Sequence, residues 1–198
     1  MTHSRKTAII ASALVAVPLI AGQAQADTLD FNEVTVNEYT GTSSLTLSNA
    51  TITTSGADLY VAGPGAYDPA FGPYGGFCGV TVTTGLDCST ISTISFNSAI
   101  SDLNFVTRAY GTGDIVNAMI YSGTTLLHTI VATSNTTLDF SGFSGVTSLV
   151  LDASASTGLG FVYGDFAFND VSTVPLPASG LLLIAGIGGI AGLRRKTS

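Results

Sequence analysis

The sequence predicts an all-β fold, an antiparallel β-sandwich that is jelly-roll-like, with one segment at each terminus that is not part of the folded domain. Short runs of alternating apolar and polar residues recur about every 8–12 residues and are separated by Gly, Asn, Asp and Ser, as in strands joined by turns. Between the termini no stretch keeps the repeat of an amphipathic helix, about 3.6 residues. We therefore expect two sheets of about four or five strands each, packed over one core.

The alternating runs define the individual strands. Val34 and Val36 alternate with polar residues in the first run, and Leu45 and Leu47 do so in the second. The segment Tyr121 to Thr125, YSGTT, has the glycine of a hairpin turn between two of the clearest runs. The predicted strands lie within Leu29–Tyr39, Ser44–Thr54, Leu59–Ala62, Phe77–Thr84, Thr90–Phe96, Asp102–Tyr110, Ile115–Ser122, Thr125–Ala132, Thr136–Phe140, Val146–Asp152 and Leu159–Asn169.

The N-terminal segment has the three parts of a secretory signal peptide. Arg5 and Lys6 provide positive charge, residues 7–22 are apolar and uncharged, and residues 24–26 read Ala-Gln-Ala, a small-residue cleavage site. We expect residues 1–26 to be removed, so that the exported chain begins at Asp27.

The C-terminal segment, residues 174–198, places a proline-containing motif, an apolar run and a basic cluster in that order. The motif is Val174-Pro175-Leu176-Pro177-Ala178, and residues 179–193 carry no charge. As a helix that run would be roughly 22 Å long, somewhat less than the hydrocarbon core of a bilayer. The basic residues at 194–196 should remain on the cytoplasmic side. On physical grounds an ordinary tail anchor and a processed sorting signal fit equally well.

This order of motif, apolar helix and basic end resembles the PEP-CTERM class of bacterial sorting signals, and VPLPA at residues 174–178 matches its VPLPA variant. Leu176 occupies the place of the Glu in the more common form. The resemblance implies an exosortase, a membrane-embedded cysteine protease, as a partner. It also implies transient anchoring in the inner membrane through residues 179–193, followed by transfer to the cell envelope or the outside.

The central domain, residues 27–173, is strongly acidic. It contains all 13 acidic residues of the chain and a single basic one, Arg108, which gives a formal charge of about −12. Nucleic-acid binding is excluded because it needs a basic face. Binding to anionic lipid is excluded for the same reason.

Cys78 and Cys88 are the only cysteines of the sequence. Both fall in the region predicted to be exported, where disulfides persist. We expect a structural disulfide between them, because neither a metal pair nor a catalytic thiol has a nearby histidine to support it.

The catalytic and metal-binding alternatives have little support in the sequence. His128 is the only histidine of the central domain; it is expected to face solvent or a sheet edge, and no Gly-x-Ser-x-Gly elbow accompanies it. The many Asp residues fall mostly at turns, where local hydrogen bonds favour them. We expect no enzyme, no cofactor and no catalytic residues. Calcium is a weak candidate, at Asp165 and Asp170 together with Asp30 or Glu33 if the ends of the domain pair.

The most unusual internal stretch is the Gly- and Pro-rich loop from Ala62 to Gly79. Its candidate ligand contacts are Tyr67, Asp68, Phe71 and Tyr74, since aromatic rings stack on sugars and a carboxylate accepts from their hydroxyls. The alternative is a covering loop whose rings close one end of the sandwich.

The run from Asp102 to Asp170, with DFSGFSGV at residues 139–146, looks like the C-terminal half of many PEP-CTERM cargo domains, which are similar to lectin-like jelly rolls. We therefore expect an exported, non-catalytic protein of the cell surface or the exopolysaccharide matrix. The alternative function is that of a carbohydrate-binding module at the cell surface, with polysaccharide as its partner.

Overall fold

The computed structural model describes residues 26–66, 71–81 and 85–171. The predicted sorting tail and the predicted signal peptide, apart from Ala26, lie outside these residues. Within the described part, no helix has both the length and the apolar character needed to cross a membrane.

The all-β prediction is confirmed. The described chain forms eleven strands and one short 3-10 helix, Phe31–Glu33, and every strand pair is antiparallel. The strands are β1 Ala26–Thr28, β2 Glu38–Tyr39, β3 Ser44–Thr46, β4 Ala50–Thr54, β5 Asp58–Ala62, β6 Gly76–Val80, β7 Ile91–Ala109, β8 Val116–Ser122, β9 Thr125–Ala132, β10 Thr136–Asp152 and β11 Phe161–Asp170.

Two long strands, β7 with 19 residues and β10 with 17, run through both halves of the fold. The first half of β7 lies between β4 and the second half of β10, in a sheet with the order β3-β4-β7-β10-β8-β9. The second half of β7 lies between β11 and the first half of β10, in a sheet with the order β2-β5-β6-β11-β7-β10. We call these the first sheet and the second sheet; β1 pairs with the far end of β11.

The strands bend where they pass from one sheet to the other. In β10 the register against β7 shifts three times between Phe140 and Ser148, and Gly142 and Gly145 adopt φ values of 91° and 72°. Such irregularities let a strand turn a corner. The expected two separate sheets are therefore one continuous hydrogen-bonded network, folded over on itself in a sandwich-like shape.

One buried core fills the space between the two sheets and draws residues from both. Its aromatic rings stack on one another: the centroids of Phe105 and Phe166 are 4.9 Å apart, and those of Phe31 and Phe77 are 5.6 Å apart. On β8 the buried residues alternate with half-buried ones, as expected when one face of a strand covers a core.

Several predicted strands differ from those observed. The predicted runs Thr90–Phe96 and Asp102–Tyr110 belong to one strand, β7, because the residues between them, which include the buried Ile100, continue the strand through the bend and form no turn. Residues 136–152 likewise form the single strand β10. Ser44–Thr54 is a hairpin of two strands. The predicted hairpin at Tyr121–Thr125 is confirmed: Ser122 pairs with Thr125, and Gly123 adopts φ 59°.

Candidate functional site

The second sheet is covered on both faces over part of its area. Its outer face carries a second buried cluster of Ala62, Phe71, Cys78, Val80, Cys88 and Val162. As a result, all five residues of β6 are buried. Ala66 and Leu86 pack against this cluster from the two flanking segments.

Phe71 is the residue of the long loop that closes the outer face. It is 3% exposed and lies on Gly164, where an added Cβ would be 2.6 Å from the ring carbon Cδ1. The guanidinium of Arg108 lies 5.6 Å from the centre of the ring, within cation–π range. Phe71 therefore packs against the sheet and leaves almost no ring surface for the ligand contact predicted for it. This position favours the alternative of a covering loop.

Asp165 anchors the same loop. Its two carboxylate oxygens accept from the backbone N–H of Gly72 at 2.8 and 3.0 Å, and its own backbone has φ 52°. Of the other predicted ligand contacts in this loop, Tyr74 is 38% exposed, whereas Tyr67 and Asp68 lie outside the described residues.

Three tyrosines form a strip on the outer face of the second sheet: two are paired across strands, and the third lies just after the end of β7. Tyr39 and Tyr60 are cross-strand partners, with ring centroids 5.3 Å apart in an edge-to-face arrangement. Partial burial raises the pKa of Tyr60, and the neighbouring Tyr39 and Tyr110 raise it further. Tyr110, just after β7, is 41% exposed. We call Tyr39, Tyr60 and Tyr110 the tyrosine strip.

A shallow groove lies at each end of the tyrosine strip. Tyr39 lines a groove of about 280 Å³ together with Val34, Thr35, Glu38, Thr40, Thr42 and Leu45. Tyr110 lines a second groove, of about 340 Å³, with Gly85, Leu86, Asp87 and Leu159. A ligand that covers the tyrosine strip can therefore also reach the groove beside Tyr39 or the groove beside Tyr110.

Asp87 supplies a carboxylate at the second groove. It accepts from the hydroxyl of Ser89 and, at 2.9 Å, from the hydroxyl of Thr81. The hydrogen bond from the Ser89 side chain is the largest of the effects that lower the pKa of Asp87, so this carboxylate stays ionised at lower pH than an ordinary Asp does. An ionised carboxylate beside an aromatic ring can accept hydrogen bonds from the hydroxyls of a sugar.

Asp114 fixes the position of Tyr110. Its side chain is 2% exposed and accepts from three backbone N–H groups: Tyr110 at 2.9 Å, Gly111 at 2.6 Å and Gly160 at 2.8 Å. A buried carboxylate with three backbone donors is well compensated for the loss of water. It joins the segment after β7 to the segment before β11, and so holds Tyr110 and Leu159 beside each other.

The predicted disulfide is confirmed: Cys78 on β6 is bonded to Cys88. The backbone N–H of Cys88 also donates to the carbonyl of Leu159 at 2.6 Å, and Cys88 forms an isolated bridge with Gly160. Gly160 has φ 78°, and an added Cβ would lie 2.4 Å from the backbone of Cys88. The bond therefore fastens the wall of the second groove, which contains Leu86 and Asp87, to the sheet.

The carboxylates named as weak calcium candidates are engaged separately. β1 does pair with β11, as that prediction requires. However, Glu33 accepts from Ser48, and Asp170 accepts from the hydroxyl of Ser98 at 2.8 Å. Among the described residues, no group of three or more His, Cys, Asp or Glu side chains is arranged to hold a metal ion.

His128 lies at a sheet edge, as predicted. It is exposed on β9, the last strand of the first sheet, and its ring stacks on Phe143 with the centroids 5.0 Å apart. The sorting motif Val174 to Ala178 lies outside the described residues.

No family model matches this chain, and no curated protein matches it. Functional conclusions therefore depend on the sequence motifs and on the geometry described above.

The tyrosine strip was not predicted from the sequence. Its three residues belong to separate runs, and only the pairing of β2 with β5 and the position of the end of β7 bring them to one face. The one local signal was the presence of a Tyr at the end of two predicted strands, Leu29–Tyr39 and Asp102–Tyr110.

Proposed function

We propose that this chain is an exported, non-catalytic protein of the cell surface or the exopolysaccharide matrix, processed by an exosortase. The observation that carries the proposal is the order of the C-terminal segment: VPLPA at 174–178, an uncharged apolar run and a basic end. The disulfide between Cys78 and Cys88 supports export, since such bonds persist outside the cytoplasm. The high acidic charge supports solubility there.

In this proposal residues 1–26 are a signal peptide, and residues 27–173 form a jelly-roll-like sandwich. Residues 179–193 hold the chain in the inner membrane until an exosortase acts near the VPLPA motif. The product then enters the envelope or the medium.

The test is the intact mass of the protein recovered from the envelope and the medium of its native host. Processing predicts a species that begins at Asp27 and ends near Pro177. A species that retains the basic end, residues 194–198, would make the tail a membrane anchor and overturn the sorting proposal. A matched pair of variants tests whether cleavage depends on the VPLPA motif. Pro177→Ala, within the motif, should impair cleavage, whereas Ser198→Ala, beyond the basic cluster, should leave cleavage intact.

The second candidate function is binding of a neutral polysaccharide, and the tyrosine strip favours it. Tyr39, Tyr60 and Tyr110 present rings on one sheet face between two grooves, and Asp87 supplies an acceptor. Rings of this kind stack on the C–H faces of pyranoses. The formal charge of about −12 on the central domain disfavours uronic-acid or sulfated polymers.

A panel of soluble neutral and acidic polysaccharides, including that of the host, tests this candidate by titration calorimetry. We expect binding to neutral polymers that falls at least about tenfold, equivalent to about 1.4 kcal/mol, in Tyr60→Ala and in Tyr110→Ala. Tyr121→Ala is the control, because Tyr121 lies on the other sheet. Loss of binding in Tyr74→Ala, with binding retained in Tyr60→Ala and Tyr110→Ala, would place the site on the loop from Ala62 to Gly79. No binding to any polymer of the panel would refute this second function and leave the sorting proposal standing.

A further inference from the structure

We propose that two copies of this chain associate through β9, which pairs with its own counterpart to extend the first sheet across both molecules. β9, Thr125–Ala132, ends the strand order of that sheet and is hydrogen-bonded along one side to β8. Among the described residues no strand pairs with its other side. That side presents backbone donors and acceptors in a row, the arrangement that accepts a further strand.

The other edges of the described sheets are less suited to strand addition. The strands β1, β2 and β3 have only two or three residues each. The first half of β10 has one unpaired side, but it carries the exposed Asp139, and charge is a common means of blocking an edge. β9 is eight residues long and contains no charged residue, no Pro and no Gly.

The side chains of β9 also indicate a surface that another molecule covers. Val131 is 55% exposed and Leu126 is 50% exposed, and these are the two most exposed large apolar side chains among the described residues. Leu127 and Ile130, on the same strand, are partly buried against the core. A register shift opposite Tyr121 interrupts the start of the strand, which leaves His128 to Ala132 as the regular segment for pairing.

The distribution of charge favours a second copy as the occupant. Two copies of a domain with a formal charge of about −12 repel each other over most of their surfaces. The hairpin of β8 and β9, Val116 to Ala132, contains no charged residue, so two copies can approach most easily there. An antiparallel pair of identical strands is related by a twofold axis and is self-complementary. A five-residue pairing is small, and we expect a dissociation constant on the order of micromolar.

Sedimentation velocity of the full chain over a concentration series tests this inference, with a matched pair of variants. Val131→Lys places a charge on β9, and Leu159→Lys places one at another exposed apolar residue, 43% exposed, in the segment before β11. We expect a dimer for the unchanged chain and for Leu159→Lys. Val131→Lys should weaken it at least about tenfold.

Two results would overturn the proposal: an unchanged chain that stays monomeric at about 100 μM, or a dimer that Val131→Lys does not weaken. The second result would assign the association to another surface, including the apolar run at 179–193. A cysteine cross-link locates the contact independently. Thr129→Cys, at the centre of β9, should give a covalent dimer with a short bis-maleimide, and Ser95→Cys, exposed on β7 in the same sheet, should not.

Discussion

Replacing Asp114 with alanine should destabilise the fold more than any change of a surface carboxylate. The side chain is 2% exposed and accepts from the backbone N–H groups of Tyr110, Gly111 and Gly160 at 2.6 to 2.9 Å. In Asp114→Ala these donors lose their acceptor. A buried donor left without a partner costs about 1–3 kcal/mol, and water entering the small cavity recovers part of that cost. We expect a loss of about 3–5 kcal/mol, a large part of the 5–15 kcal/mol typical of a domain.

Asp114→Asn separates the loss of the acceptors from the loss of volume. Oδ2 of Asp114 accepts from Tyr110 and Gly111, and Oδ1 accepts from Gly160. An amide that keeps its oxygen toward the first two turns its NH₂ group toward the N–H of Gly160, so one donor loses its acceptor. The asparagine variant should therefore lose about 1–3 kcal/mol, less than the alanine variant.

Urea unfolding followed by tyrosine fluorescence measures both changes, with Asp139→Ala as the control. Asp139 is exposed and accepts from the backbone N–H of Ser141 within its own strand, so its removal should leave the midpoint unchanged within error. If Asp114→Ala unfolds within about 1 kcal/mol of the unchanged chain, the three hydrogen bonds do not have the role assigned to them. Loss of stability equal to that of Asp139→Ala would lead to the same conclusion.

Two further predictions concern the disulfide and the response to acid. Replacing Cys78 and Cys88 together by alanine should lower the free energy of unfolding by about 2–3 kcal/mol, because the bond closes a short loop in the unfolded chain; reducing agent should have no further effect on the variant in urea unfolding. Hydrogen bonds to its carboxylate lower the pKa of Asp102. The bond from the Asn169 side chain has the largest effect, and those from Gly142 and Ser101 follow. This contribution is present above the ordinary Asp pKa of about 3.9 and is lost as the pH falls through the lower folded value. Stability measured between about pH 4 and 2 should therefore fall less steeply in Asp102→Asn, and an unchanged slope would contradict the assignment.

The sequence predicts the local features of this fold well because their signals lie close together in the chain. Strand β9 has the bounds that the alternating pattern indicates, and Gly123 supplies the positive φ that its hairpin turn needs. The disulfide could also be predicted, because two cysteines in a region predicted to be exported can pair in only one way. The exposed edge position of His128 is predicted from its alternation with Leu127 and Thr129 along the same run.

The bent strands and the tyrosine strip could not be predicted in the same way. Residues 97–101, NSAIS, read as a turn between two predicted strands, but the pairing of both halves of β7 with β10 makes them a corner within one strand. The sequence predicts Phe71 as a ligand contact because aromatic rings stack on sugars. Its burial depends on the absence of a side chain at Gly164, on a strand far away in the sequence. Contacts of this kind are fixed by the register of the sheet, which the pattern of a single run does not contain.

The two proposed surfaces lie on different sheets and therefore do not compete. The tyrosine strip is on the outer face of the second sheet, and β9 is the edge of the first. A dimer formed through β9 would carry two tyrosine strips, and a polymer that reaches both would bind more tightly than either strip alone allows. Val131→Lys should then leave the affinity for a short oligosaccharide unchanged while it weakens binding to a long polymer. If Val131→Lys weakens binding of the short oligosaccharide as much as binding of the long polymer, the substitution disturbs the fold of a single molecule, and the dimer does not account for the tighter binding of the long polymer.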